Sequence, residues 1–286
     1  MPLRATLLGT GIMGAGMAAN LAKAGLVTTV WNRSRDKAEA IGGVTVADTA
    51  EEAVRDADLV VTMLFDGDSV AEVMERALPE MRDDAIWLQT TTVGTDAIAR
   101  LADMAAKRGV GFVDAPVMGT RQPAESGQLT VLAAGADETI AKAEPVFDAV
   151  GAKTVRLGTE VGAASRFKLV MNAWVVSLTT ATAQSVAFCK AAGIDPQRFL
   201  DAIAGGPLDS GYAQAKGKAM IAGDFSPSFA VDGAAKDASL VAAALDECGA
   251  DSTLATAVAT LMRKAMDAGD PHDDMAAVLR AFQAVA

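Results

Sequence analysis

Gly9-Thr10-Gly11-Ile12-Met13-Gly14 follows the apolar run Ala5 to Leu8 and opens a segment in which Met13, Met17 and Leu21 fall on one helical face. Glycines at this spacing between a strand and a helix meet the needs of a dinucleotide pyrophosphate. The first permits a tight turn, the second lets the backbone approach the anion, and the third lets helix and strand pack closely, with the helix N-terminus facing the charge. Farther along, Lys168 and Asn172 stand at i and i+4 in a stretch without Pro or Gly, so a helix projects both from one face. An amine set among Phe167, Leu169, Val170 and Met171 is expected to lose affinity for its proton, moving from ~10.4 toward neutrality as a general acid-base lysine requires. His272 and Tyr212 are the sole histidine and tyrosine, which leaves few other groups to move protons at neutral pH.

These residues need a scaffold, and the sequence pattern supplies one. The first half alternates short apolar runs (Ala5 to Leu8, Val27 to Trp31, Leu59 to Leu64) with helical segments (Gly14 to Ala24, Asp36 to Ile41), the signature of βαβ units around a parallel sheet. Further strands are expected at Ala85 to Gln89, Gly111 to Val113, Leu129 to Ala133 and Thr154 to Leu157, with helices at Ile98 to Arg108 and Glu138 to Val150. From Gly162 onward the strand signals stop, and Ala, Leu, Met and Val recur at helical spacing. The pattern predicts an α/β Rossmann dinucleotide-binding domain over residues 1–161 and an all-α domain over 162–286, two domains in 286 residues. Ala164 to about Ala192 reads as one helix of roughly 40 Å, long enough to leave its own domain or reach a partner subunit.

Composition narrows the function. A net charge of −11 has the wrong sign for a chain that neutralises nucleic-acid phosphates, so no nucleic-acid partner is expected. Cys189 and Cys248 form no Cys-x-x-Cys pair and read as buried thiols in a reducing compartment, with neither a disulfide scaffold nor a metal site. The opening Met-Pro-Leu-Arg-Ala-Thr lacks the features of a signal peptide, and the reading is cytoplasmic. Leu169 to Cys189 is long enough to span a bilayer, but Asn172, Ser177, Thr179, Thr180, Thr182, Gln184 and Ser185 make it a buried helix of a protein with no membrane partner.

An acidic residue at the end of the second strand would bind a ribose 2′-hydroxyl. Asn32 stands there instead, followed by Arg33, Ser34, Arg35 and Lys37, donors and cations suited to a 2′-phosphate, so NADP is expected over NAD. Tyr212-Ala-Gln-Ala-Lys216 offers a Tyr-x-x-x-Lys pair, but it lies in the helical half after a glycine-rich break, away from the nucleotide-binding segment.

Taken together, several segments resemble the β-hydroxyacid dehydrogenase family, which includes 3-hydroxyisobutyrate dehydrogenases and semialdehyde reductases. The glycine segment with Met17, Asn20, Leu21 and Gly25 is similar to the family's cofactor signature, and Thr91-Thr92 to the pair beside the nicotinamide ribose. Asp114-Ala115-Pro116-Val117-Met118-Gly119-Thr120 resembles the substrate-anchoring segment, Gly162 through Lys168 to Asn172 the catalytic helix, and Phe229 with Lys236-Asp237 a second lysine segment. The resemblance implies a 6-phosphogluconate dehydrogenase-like fold joined by a long helix, and a homo-oligomer, dimer or tetramer. It also implies hydride transfer between NADP(H) and a small carboxylate substrate, a β-hydroxy acid or its semialdehyde or keto acid. Lys168 and Asn172 would then be catalytic, and Met118, Gly119, Thr120 and Lys236 would bind substrate. Gly9, Thr10, Gly11, Ile12, Met13, Gly14, Asn32, Arg33, Ser34, Lys37, Leu64, Thr92 and Lys236 would bind cofactor.

Two departures bear on the substrate. Met118 stands where the family has a serine, and Met171 where many relatives have asparagine. Met118 then either favours a substrate with an apolar group or only packs the domain. Two competing functions carry over: an imine reductase or reductive aminase of the same fold, whose members carry Asp or Tyr where this chain has Lys168, and a non-catalytic cofactor-binding module.

Overall fold

The computed structural model describes residues 2–282. In the first half, β1 (Arg4–Leu8), α1 (Ile12–Lys23), β2 (Val27–Trp31), α2 (Arg35–Glu39), β3 (Thr45–Val46), α3 (Ala50–Val54) and β4 (Leu59–Thr62) alternate. They continue through α4 (Gly67–Ala77), β5 (Ile86–Gln89), α5 (Thr95–Arg108) and β6 (Gly111–Asp114). The six strands form one sheet in the order β3-β2-β1-β4-β5-β6, and every pairing is parallel. β4 (Leu-Val-Val-Thr) and β5 (Ile-Trp-Leu-Gln) are buried along their whole length, as strands covered by helices on both faces must be. One face packs Leu7, Leu59, Val61 and Leu88 with Met17 and Leu21 of α1; the other packs Leu8, Val60 and Trp87 with Val70 and Met74 of α4 and Leu101 of α5.

A smaller sheet follows, built from β7 (Val117–Met118), β8 (Leu129–Ala133) and β9 (Gly151–Arg156), with α6 (Arg121–Glu125) and α7 (Asp137–Val150) between them. β7 pairs antiparallel and β9 parallel with β8. The chain is then helical: α8 (Ala163–Ala191), α9 (Gln197–Ile203), α10 (Gly211–Ala222), α11 (Val231–Glu247), α12 (Thr253–Asp267) and a 3₁₀ segment, Met275–Phe282. The expected fold class, a Rossmann domain followed by a helical domain, is what the chain adopts.

Compact packing divides the chain into Met1–Lys168 and Leu169–Ala286. Residues 1 and 283–286, inside the expected domains 1–161 and 162–286, lie outside the described residues. In the second unit, Val176, Ala183 and Val186 of α8 pack with Ala234 and Ala238 of α11, Val258 and Met262 of α12, and Met275 and Leu279. The hydroxyls of Thr179, Thr180, Thr182 and Ser185 donate to carbonyls one turn back at 2.8–3.0 Å, which satisfies them within the helix; α8 is buried on one side only, since Val170, Trp174 and Phe188 are exposed. No helix of the described residues is long and apolar enough to cross a membrane.

The sequence pattern missed β3, β7, α3, α4 and α6. The two strands have two residues each, too short for any periodicity to register. The expected strand through Leu64 stops at Thr62, because Met63 and Leu64 turn over the glycine loop.

Candidate functional site

Gly9 leaves β1 with φ +105°, and a Cβ there would lie 2.2 Å from the Met63 carbonyl oxygen and 2.7 Å from Leu64 Cδ2. A Cβ on Gly14 would lie 1.9 Å from the Gly9 carbonyl oxygen, so both positions exclude a side chain. Gly11 differs: it stands at the N-terminus of α1, and a Cβ there would meet nothing within 4 Å. Ile12 and Met13 are half-buried in the first turn, Met13 against the core. The Thr10 N–H donates to Asn32 Oδ1 at 3.0 Å and Asn32 Nδ2 donates to the Ser34 carbonyl at 3.0 Å, which ties the glycine loop to the end of β2. Thr10 Oγ1 is buried without a hydrogen-bond partner. An open cradle at a helix N-terminus and an orphaned hydroxyl beside it fit a pyrophosphate.

Asn32 commits one end of its amide to the glycine loop and the other to the Ser34 carbonyl, so discrimination at the adenosine ribose falls to the side chains after it. Arg33, Ser34 and Lys37 are exposed, and among the described residues neither cation forms an ion pair. Arg35, by contrast, is taken by Glu39 and Asp48, which raise its pKa. Leu64 lies over Gly9, and its N–H donates to Thr91 Oγ1 at 2.9 Å. Gln89 holds Thr91 at both its N–H (2.9 Å) and its carbonyl (2.8 Å), so Thr91 is a latch between β4 and β5, while Thr92 is half-buried beside it.

Asn20, noted for its resemblance alone, has a structural task. Its Nδ2 donates to the carbonyls of Ala124 (2.8 Å) and Glu125 (3.2 Å), binding α1 to α6 just after the anchoring segment. Within that segment Met118 is half-buried and packs against Leu132, Ala134 and Ala164. Gly119 turns the chain with φ +127°, where a Cβ would lie 2.7 Å from Leu129 Cδ2. Thr120 precedes α6 in extended conformation, and its side chain caps nothing there.

α8 carries Lys168 and Asn172 one turn apart. Lys168 is half-buried, but Phe167 and Val170, expected to enclose its amine, are 38% and 63% exposed. Adjacent residues on a helix point 100° apart, so sequence neighbours are poor guides to a side chain's surroundings. Asn172 is buried, and its Nδ2 donates to Asp237 Oδ2 at 2.7 Å. The other oxygen, Oδ1, lies 3.0 Å from the Lys236 ammonium. Asp237 was assigned no role from the sequence, although its place beside Lys236 was visible there.

The Tyr-x-x-x-Lys pair is occupied elsewhere. Lys216 is buried and donates to Asp274 Oδ1 at 2.6 Å and Ser228 Oγ at 3.1 Å, while the Tyr212 hydroxyl meets Met275 Sδ at 3.3 Å. Burial, and then the charge of Asp274, push the Tyr212 phenol far above its ordinary range, so it holds its proton.

Residues 4–158 match a family model described as the NAD binding domain of 6-phosphogluconate dehydrogenase. Residues 162–282 match one described as NAD-binding of NADP-dependent 3-hydroxyisobutyrate dehydrogenase. Glyoxylate/succinic semialdehyde reductase 2, chloroplastic, of Arabidopsis thaliana is 30% identical over 97% of this chain and 78% of its own length. A crystal structure of 3-hydroxyisobutyrate dehydrogenase from Salmonella typhimurium superposes with a TM-score of 0.89 at 25% identity, covering 97% of this chain and 99% of that one. The Mycobacterium tuberculosis 3-hydroxyisobutyrate dehydrogenase with L-serine gives 0.87 at 27% identity, over 99% and 100%.

Proposed function

The chain belongs to the β-hydroxyacid dehydrogenase family, and on that premise we propose how its residues carry the reaction. It is an oxidoreductase that interconverts the hydroxyl of a small hydroxy acid and the corresponding aldehyde or ketone with NAD(P)(H). The bound nicotinamide supplies or accepts the hydride. Lys168 gives its proton to the carbonyl oxygen in reduction and takes the hydroxyl proton in oxidation. Asn172, held by its bond to Asp237, orients the same group. Lys236 and the main-chain N–H groups of Met118, Gly119 and Thr120 bind the carboxylate.

The cofactor is NADP, read through Arg33, Ser34 and Lys37; the pyrophosphate rests on Gly9 through Gly14, with Leu64, Thr92 and Lys236 completing the cofactor set. Residues 1–161 form the NADP-binding domain with the anchoring segment, and 162–286 the helical domain for substrate and assembly. A homo-oligomer is part of the same reading: Phe167, Trp174 and Phe188 recur at multiples of seven along α8 and are 38%, 63% and 75% exposed, an apolar stripe suited to a partner helix. The cytoplasmic location is read from two cysteines that do not pair, although Cys189 is half-buried and Cys248 exposed rather than both buried as their number in the sequence suggested.

The observation that carries the reading is the Lys168 and Asn172 pair on one helical turn, with Asn172 braced by Asp237, which also faces Lys236. The test follows reduced nicotinamide with NADPH and NADH against glyoxylate, succinic semialdehyde and a cyclic imine, and with the oxidised cofactors against 3-hydroxyisobutyrate. Turnover of a hydroxy acid or semialdehyde, lowered ~10²- to 10⁴-fold in Lys168→Ala, is expected. Turnover of the imine alone, or cofactor binding with no turnover of any compound, overturns it.

A further inference from the structure

Asp114 closes β6, and its side chain is completely buried. Its backbone is held on two sides: Asp114 and Ala134 exchange N–H···O bonds at 3.0 and 2.9 Å, and the next N–H, of Ala115, donates to the Gln89 carbonyl at 2.8 Å. The carboxylate thus sits on a base shared by the parallel sheet and the smaller one. What it grips is the start of α8. Oδ2 accepts from the N–H of Gly162 and the N–H of Ser165, each at 2.9 Å, and Oδ1 accepts from Ser165 Oγ at 2.6 Å. Gly162 reaches this position with φ +96°, a conformation that suits glycine.

A helix can be capped by its own Ser, Thr or Asp at the surface, with no charge taken out of water. Here the cap comes from a strand far earlier in the chain and is buried. Burial pushes the Asp114 carboxyl above its ordinary range, although the Ser165 hydroxyl and the N–H groups of Ser165, Gly162 and Ala164 pull it back. A cap that sacrifices desolvation energy is worth retaining where position matters more than stability. Two gripped residues, Gly162 and Ser165, fix both the rotation of the first turn about the helix axis and its height. Lys168 lies three residues past Ser165, a rise of about 4.5 Å.

The geometry points to the Asp114–Ser165 clamp as the device that sets the rotation and height of Lys168 relative to the carboxyl edge of the parallel sheet, where the glycine loop also opens. Asp114 is a positioning residue acting through α8. The inference rests on Lys168 being the acid-base group, and proton transfer is steeply sensitive to placement: an error near 1 Å costs about a hundredfold.

Ser165→Ala removes one of the clamp's three bonds and keeps the fold; Ser165→Thr restores the hydroxyl; Asp114→Asn keeps the shape but loses an acceptor. Each is measured for kcat and KM, for NADPH dissociation by fluorescence, and for the pH dependence of Lys168 acylation followed by mass spectrometry. Ser165→Ala is expected to lower kcat about tenfold to a hundredfold with NADPH affinity unchanged, to shift the acylation profile, and to be rescued by Ser165→Thr. Asp114→Asn is expected to do the same more strongly, or to fail to fold, in which case Ser165→Ala decides. If Ser165→Ala melts earlier while kcat and the acylation profile match the wild type, the clamp is a helix cap only and the inference is overturned. A wild type with no turnover on any substrate sinks the functional reading instead, and the acylation profile still decides the clamp.

Discussion

Asn172 donates to Asp237 at 2.7 Å, and each residue is only 3% exposed. The same carboxylate faces the Lys236 ammonium at 3.0 Å, so one buried anion joins α8 to α11 and orients two of the polar groups assigned to the site. Deleting the amide would leave a buried acceptor short of a donor. Asn172→Ala is therefore expected to cost ~1–3 kcal/mol of stability and to lower turnover by less than loss of Lys168 does. Thermal melts of Asn172→Ala, Asp237→Ala and the double variant check it; strictly additive effects would show that the two side chains are not coupled.

Lys168→Ala is expected to fold and to bind NADPH as the wild type does while losing ~10²- to 10⁴-fold in turnover, the usual contribution of a general acid-base group. Tyr212→Phe is the control. Its hydroxyl contacts a thioether in a packed interior, so turnover should stay near wild type. The opposite pattern would return the proton to the Tyr-x-x-x-Lys pair.

Arg33→Ala and Lys37→Ala are expected to weaken NADPH more than NADH, by ~1.5–3 kcal/mol for a charge-assisted bond to a 2′-phosphate, and less at high salt. Calorimetric titration with both cofactors checks this. Equal losses for both would show that these side chains do not read the phosphate.

The glycine loop separates stability from binding. A Cβ on Gly14 collides with the Gly9 carbonyl at 1.9 Å, whereas one on Gly11 enters empty space. Gly14→Ala should lower the melting temperature sharply, and Gly11→Ala should leave it near wild type yet weaken both cofactors. A Gly11→Ala variant with unchanged cofactor affinity would mean that the pyrophosphate does not rest there.

The Lys216–Asp274 pair gives a pH signature. Burial raises the Asp274 carboxyl, but the charge and hydrogen bond of Lys216, with the N–H groups of Ala276 and Ser228, outweigh it and hold the group below the ordinary carboxylate range. The folded state thus binds this proton less tightly than the unfolded one. Its stabilisation is fully present above the unfolded value near ~3.9 and is lost as pH falls through the depressed folded value. Lys216→Met strands a buried carboxylate and should cost ~3–5 kcal/mol at neutral pH, a deficit that shrinks on acidification. Melting curves from neutral to acid pH test the sign.

Local features carried much of this in the sequence. The glycine spacing between a strand and a helix, and the Lys-to-Asn interval on an uninterrupted helix, are short-range patterns that depend only on backbone periodicity. The loss of strand signals at Gly162 and the run to Ala192 likewise announced the helical half and its long helix, because Pro and Gly act where they stand.

Long-range partners did not show. Asp114 reads in sequence as part of a substrate-anchoring segment, and only the fold reveals that it grips Gly162 and Ser165. Asp237 looks like the neighbour of a lysine until α11 packs it on Asn172. Phe167 and Val170 adjoin Lys168 in sequence yet point to solvent. Periodicity along the chain determines which residues share a face of one element; which elements that face meets depends on how the helices and sheets pack, and that packing is what assigned the buried carboxylates their partners.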